Sequence, residues 1–217
     1  MRRNAQMWLK IVLDSLDWSR QEWRLFAFKP WFLFGKVLKN FYNEGMKTQE
    51  TPKIHLEKVT WDNYWRVIHL QVSKEQRNFI ATNTLSLAHA YLNTTENVPT
   101  WPFAIYFGKK IVGFALLCYF GDRDSYLEDN PIPFIKSSYH IARLMIDRRH
   151  QRRGYGKEAL QQILEFFRSQ PAGPGEYVTL YYEMENEAAK NLYASLGFVE
   201  YPESFKEGDE MPAYLKL

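Results

Sequence analysis

Between Leu144 and Lys157 an apolar segment runs into four arginines and two closely spaced glycines, in the order Leu144-Met-Ile-Asp-Arg-Arg-His-Gln-Arg-Arg-Gly-Tyr-Gly-Lys157. Behind them Ala159, Leu160, Ile163, Leu164 and Phe167 recur at the spacing of one helix face, which predicts a helix over Gly154–Arg168. A strand that ends in such a loop and reopens as a helix must aim free backbone N–H groups and the positive end of the helix dipole at one point. Gly154 and Gly156 let the backbone come close to whatever binds there, so the stretch predicts an anion site wide enough for a pyrophosphate. A plain tight turn before a helix would look similar, so the spacing has to be tested against known phosphate loops. A P-loop is excluded because Lys157 is followed by Glu158 rather than Ser or Thr, and no glycine stands five residues before Gly156. A dinucleotide fingerprint could accept Ala159 as its third small residue, but the hairpin-like strands upstream do not supply its repeated parallel units.

The rest of the chain limits the fold that can carry this loop. Ile54–Val59 alternates as a strand, and helices are expected over Trp61–Val72 and Thr84–Leu92. In the first of these, Trp61, Tyr64, Trp65, Ile68 and Val72 form the apolar stripe. Strands follow at Trp101–Phe107 and Ile111–Phe120, split by Gly108, Lys109 and Lys110 as in a hairpin. A long Asp-, Pro- and Asn-rich loop, Gly121–Ser138, precedes a strand at Tyr139–Ile146. After the glycine loop and its helix come a strand at Glu176–Tyr182, a helix at Glu187–Ser195 and strands at Phe198–Tyr201 and Met211–Leu217. The order βααβββαβαββ indicates a mixed α/β (α+β) domain with helices on a central sheet.

Residues 1–46 read as a separate N-terminal extension and 47–217 as the domain. From Met1 to Gly45 eight Lys/Arg oppose four Asp/Glu among many aromatics, and Pro30 interrupts the helical pattern. Charges at Lys10, Asp14, Asp17 and Arg20 break any run long enough to span a membrane, and no signal-peptide core is present. Three readings of residues 1–45 remain: a peripheral contact with an anionic membrane, packing on the domain or on a second subunit, or a true start at Met46. A homodimer is compatible with the second. A net charge of +3 is too small to indicate nucleic acid. Cys118 is the single cysteine and lies in an apolar strand, so a disulfide framework and a cysteine-based metal site are excluded, no metal is expected, and a cytoplasmic location fits.

Gln151-Arg-Arg-Gly-Tyr-Gly156 resembles the [QR]-x-x-G-x-[GA] acetyl-CoA signature of the GNAT acyltransferases. Asn186-Glu-Ala-Ala-Lys-Asn-Leu-Tyr193-Ala-Ser-Leu-Gly-Phe198 resembles the second signature of the same family. The resemblance spans about residues 54–217 and implies the GNAT acyl-CoA N-acyltransferase fold, a mixed central sheet whose fourth and fifth strands splay apart. It implies acetyl-CoA as co-substrate, held by Gln151, Arg152, Arg153, Gly154, Tyr155, Gly156 and Lys157 around the phosphates. Unpaired backbone groups of Leu144, Met145 and Ile146 and the side chain of Asn186 would hold the pantetheine arm. Leu144 N–H would face the thioester oxygen, and Tyr193 would protonate the departing thiolate. His140, eleven residues before Gln151, stands where some members place a base carboxylate, and an imidazole has a suitable pKa. Glu183 and Glu185 are the substitutes. Read from the residues alone, Asn186 is also a helix N-cap, Tyr193 a core aromatic and His140 a satisfied buried histidine.

Fold and donor do not set the acceptor. Asp122, Asp124, Glu128 and Asp129 in the long loop, with Glu96 on another, would attract a small cationic amine, and the loop resembles that of the spermidine/polyamine branch. The expected activity is transfer of an acetyl group to a primary amine by direct attack. The alternatives are a CoA-binding sensor or interaction module and a protein N-acetyltransferase.

Overall fold

A computed structural model describes residues 52–121, 135–204 and 210–217. The N-terminal extension, its expected membrane or subunit contact, and the acidic residues Asp122, Asp124, Glu128 and Asp129 lie outside the described residues. Seven strands form one sheet in the order β1-β2-β3-β4-β5-β7-β6. They are β1 (Ile54–Lys58), β2 (Thr100–Phe107), β3 (Lys110–Tyr119), β4 (Tyr139–Ile146), β5 (Tyr177–Tyr182), β6 (Val199–Glu200) and β7 (Met211–Lys216). All neighbours are antiparallel except β4 and β5, which are joined by a helical crossover and run parallel.

Strand alternation divides the core between the two faces of the sheet. Phe103, Ile105, Ala115 and Leu117 pack on one face with Ala159, Leu160, Ile163, Leu164 and Phe167 of helix α3 (Tyr155–Arg168). Their neighbours Ala104, Tyr106, Phe114 and Leu116 point to the other face, against Val67 of α1 (Tyr64–Ile68) and Ala90 of α2 (Asn83–Thr95). β3 is therefore covered on both sides, and this accounts for its unbroken apolar run from Ile111 to Tyr119. A fourth helix, α4 (Glu187–Ala194), precedes β6.

The expected helix over Trp61–Val72 is shorter than its periodicity suggests. Asn63 is buried, accepts from Thr60 N–H at 2.8 Å and donates to Lys58 O at 3.0 Å, which delays the helix start. At the other end Gln71 N–H donates to the Asp147 carboxylate at 3.0 Å and Gln71 O accepts from Arg148 N–H at 2.8 Å. Those long-range bonds capture the backbone groups a longer helix would use. The stripe is also corrected: α1 buries Val67, while Trp61 and Trp65 are 85% and 63% exposed. The strand expected over Phe198–Tyr201 shortens to Val199–Glu200.

β4 and β5 pair only over Tyr139↔Val178, His140↔Thr179 and Ile141↔Leu180, and then part, although β4 continues to Ile146. On its other edge β4 stays paired with β3 as far as Ile146↔Gly113. Ala142 is the extra residue of a β-bulge between Leu116↔Arg143 and Leu117↔Ile141, so the strand is re-aimed where the gap opens. Gly113 is required opposite this segment, because a Cβ there would lie 2.4 Å from Met145 O.

Candidate active site

The gap between β4 and β5 opens into a cavity of about 1170 Å³, bounded by the glycine loop, α4 and the connection from α1 to α2. Its wall includes Leu144, Met145 and Ile146. Asp147 N–H donates to Val112 O of the β3 side at 2.8 Å. By alternation the backbone groups of Met145 also face β3, whereas those of Ile146 and Leu144 face the gap. Leu144 N–H thus faces the gap. Met145 contributes its side chain, whose sulfur accepts from Asn83 at 3.9 Å, rather than free backbone groups. Ile146 O accepts from Gln151 Nε2 at 2.9 Å and is occupied.

That bond also gives Gln151, which lines the cavity, a bracing role. Its amide donates to Gln76 Oε1 at 2.8 Å as well, so Gln151 braces the loop against the α1–α2 connection. Asp147, 1% exposed, fixes the loop's first turn by accepting from Arg149 N–H, the Arg149 guanidinium and Gln71 N–H. Burial alone would raise its carboxyl, but the hydrogen bonds from Arg149 and Gln71 hold it below the usual carboxylate range. Arg152 and Gly154 adopt left-handed backbone, φ 60° and 83°, and turn the chain into α3. The first hydrogen bonds of the helix run from Lys157 and Glu158 to Gly154 O. The N–H groups of Gly154, Tyr155 and Gly156 have no acceptor among the described residues, and all three residues line the cavity with Arg152. Arg77 and Arg148 add positive charge to the same end.

Arg153 and Lys157 stand outside the cavity wall. The Arg153 guanidinium donates back to Arg149 O at 3.2 Å, and Lys157 sits on the exposed flank of α3. Both therefore differ from the expected phosphate contacts.

Asn186 caps α4 by accepting from Ala189 N–H at 3.1 Å and also lines the cavity, so its amide N–H groups stay available to a ligand. Tyr193 follows two turns later, 8% exposed, packed between Tyr182 at 5.8 Å and Phe198 at 5.7 Å. Gly197, at φ 89°, ends the helix and returns Phe198 onto Tyr193, which gives the second signature its physical reason. Lys190 and Tyr182 both reach Glu200, tying α4 to β5 and β6. The Tyr193 hydroxyl lines the cavity with no hydrogen-bond partner among the described residues. Burial, and then the Glu210 carboxylate, push its pKa up, so it keeps its proton at neutral pH.

His140 is 8% exposed, and Nδ1 lies 3.0 Å from Thr179 Oγ1. Thr179 in turn donates to Tyr139 O at 3.4 Å, which assigns the Nδ1 proton to the Thr179 bond. Burial, then the Arg143 charge, drive its pKa down to about 4. The imidazole is neutral at pH 7 but a far weaker base than its ordinary pKa suggests, so the basicity argument for His140 fails. Cys118, its register partner across β3, is buried with its thiol pushed up to about 12 and is no nucleophile.

Glu183 lines the cavity, whereas Glu185 and Glu96 do not. Sequence reasoning missed Arg143, Glu75 and Glu210, all on the wall. Arg143 is the one charge inside an apolar strand and could have been singled out on that ground; its Nε is buried without a partner. Among the described residues no group of three His, Cys, Asp or Glu is placed to hold a metal ion, and no helix is long and apolar enough to cross a membrane.

The family described as "Acetyltransferase (GNAT) family" matches residues 61–198. A spermine/spermidine N(1)-acetyltransferase of Bacillus subtilis (strain 168) is 28% identical over 145 residues, 67% of this chain and 87% of the relative. Among solved structures, spermidine N-acetyltransferase from Vibrio cholerae in complex with CoA and spermine superposes with a TM-score of 0.54 at 17% identity, over 76% of this chain and 95% of that one. PaiA N-acetyltransferase from Thermoplasma acidophilum in complex with coenzyme A gives a TM-score of 0.54 at 12% identity, over 76% and 99% of the two chains. These structural likenesses carry the fold.

Proposed function

We infer the acceptor from one premise: this chain belongs to the acetyltransferase (GNAT) family and is an acetyl-CoA-dependent N-acetyltransferase. The acceptor we propose is a primary amine of a small, polyamine-like cation, attacking the acyl donor directly. One observation carries this reading. A single cavity joins the free N–H groups at the start of α3, the β4–β5 gap and Tyr193 to the carboxylates Glu183 and Glu210. Groups that bind an anion and groups that attract a cation thus share one cavity wall, with a proton donor among them. The spermine/spermidine acetyltransferase of B. subtilis, by its name, acts on such an amine.

Bound in this cavity, acetyl-CoA would supply an acetyl group activated as a thioester. Gly154, Tyr155 and Gly156 would bind its phosphates through backbone N–H groups, and Asn186 would hold the pantetheine amide. Leu144 N–H would face the thioester oxygen, where negative charge develops as the amine attacks. Tyr193 would give its proton to the departing sulfur.

The test is release of free thiol from acetyl-CoA in the presence of spermidine, an aminoglycoside or a lysine peptide, for wild type and Tyr193→Phe. Turnover with spermidine, lowered about 100-fold in the variant, is expected for loss of a general acid. Turnover with the lysine peptide alone would replace the acceptor by a protein. Tight acetyl-CoA binding with no turnover on any amine would make the domain a CoA-binding module.

A further inference from the structure

β5 and β7 are antiparallel, and their last register pair is Tyr182↔Met211. One step further, Glu183 and Glu210 fall directly opposite each other, just past the end of the ladder and on the cavity wall. Like charges at opposed positions of an antiparallel pair repel, with Cβ atoms roughly 5 Å apart, so the arrangement favours a cation between them. A second observation places the reacting centre there. The Tyr193 hydroxyl, on a side chain 8% exposed and without a partner among the described residues, lies within the electrostatic reach of Glu210.

We propose that Glu210 receives the proton of the acceptor's ammonium, while Glu183 holds the charged amine beside it until transfer. This rests on the amine-acceptor reading above and names the base that His140 does not provide. An N–H bond of the ammonium breaks, an O–H bond forms on Glu210, and the lone pair left on nitrogen attacks the thioester carbon. The sulfur leaves with the C–S electrons and takes the Tyr193 proton. Tyr193 regains a proton from the same nitrogen, and Glu210 releases its own to solvent, so each turnover yields one free thiol and one proton.

The charged and titratable groups facing Glu210 are Glu183 at the end of β5, Arg143 on β4 and Tyr193 on α4, and His140 on β4 lines the same cavity. Glu210 is solvent-exposed at the cavity mouth, yet partial desolvation and then the Glu183 carboxylate push its pKa up, with Arg143 pulling the other way. A carboxylate raised in this way is a better base than an ordinary one.

The experiment measures kcat and kcat/KM for spermidine against pH in wild type, Glu210→Gln and Glu183→Gln, with acetyl-CoA affinity followed by calorimetry. In Glu210→Gln, kcat falls about 100-fold at neutral pH, as for loss of a general base, with acetyl-CoA affinity unchanged. That defect shrinks towards about pH 10, where the amine loses its own proton in water. In Glu183→Gln the acid limb of kcat/KM moves to lower pH, because removing the opposed charge eases ionisation of Glu210. A Glu210→Gln enzyme as active as wild type at neutral pH, or one with the same defect at every pH, overturns the proposal. Wild type that binds acetyl-CoA but acetylates no amine is a different result, and removes the acceptor reading itself.

Discussion

Gly154 and Gly156 are two residues apart in the loop, yet alanine at each should fail for a different reason. Gly154 has φ 83°, and a Cβ there meets nothing nearer than Glu158 Oε1 at 4.0 Å. Space is free, so the penalty is conformational, about 1–2 kcal/mol for an L-residue held in the left-handed region. Gly156 lies in the first turn of α3, where a Cβ would touch Leu192 Cδ2 at 3.6 Å and Ile146 Cγ1 at 3.8 Å, both ordinary contacts. Alanine there should cost no stability and should gain up to about 1 kcal/mol in helix propensity. The added methyl group does stand on the cavity wall, where the backbone must approach an anion. Loss of one hydrogen bond to a charged oxygen, about 1.5–3 kcal/mol, weakens CoA binding by roughly 10- to 150-fold. Urea denaturation of the free proteins and calorimetric titration with CoA separate the two effects. The expected pattern is Gly154→Ala destabilised, and Gly156→Ala at least as stable as wild type but a poor CoA binder. Full CoA affinity in Gly156→Ala would refute the assignment of this loop to the phosphates.

Gln151→Ala removes the bonds to Gln76 Oε1 and Ile146 O and should cost about 2 kcal/mol of stability at roughly 1 kcal/mol each, measured by denaturation without ligand. Gln76→Ala, which also loses the bond its Oε1 accepts from Ser73 N–H, should cost a similar amount, whereas equal stability of both variants with wild type would show that the brace is not needed. His140 gives a pH signature. Its folded pKa of about 4 lies below the ordinary 6.5, so the unfolded chain binds more protons between those values. Stability contributed by the neutral imidazole is complete above pH 6.5, is lost as pH falls towards 4, and amounts to about 3 kcal/mol. His140→Gln should flatten this window of the stability curve, and an unchanged slope would show that His140 titrates normally.

The parts of the fold legible in the sequence are those whose signal is local. β3 could be read as a strand because Ile111–Tyr119 is apolar without interruption, and α3 because its apolar residues and Gly154 cap agree. α1 was misread because its boundaries depend on partners far away in the chain. Gln71 donates to Asp147, 76 positions later, and no periodicity within Trp61–Val72 carries that information. Trp61 and Trp65 fit a helical stripe, yet it is Val67 that joins Phe114 and Leu116 in the core on that face of the sheet.

The same division runs through the site. Gly154, Gly156, Asn186 and Tyr193 stand at fixed spacings within two short segments, so they can be singled out before any contact is known, and all four line one cavity. Gln151 shares that segment but bonds to Gln76 as well as Ile146, and only the folded chain separates a brace from a phosphate ligand. Glu210 is harder still, because nothing around it in sequence marks it. It reaches the cavity because Tyr182 pairs with Met211, and it meets Glu183 because the antiparallel register continues by one residue. His140 shows the reverse effect, a residue type that suggests catalysis but is placed where it is a weak base. Burial, and then the Arg143 guanidinium, lower its basicity, while the same guanidinium opposes the rise at Glu210. A base on β4 is thereby weakened, while Glu210, just before β7, is a wall carboxylate that desolvation and Glu183 make more basic, as the proposed proton transfer from the amine requires.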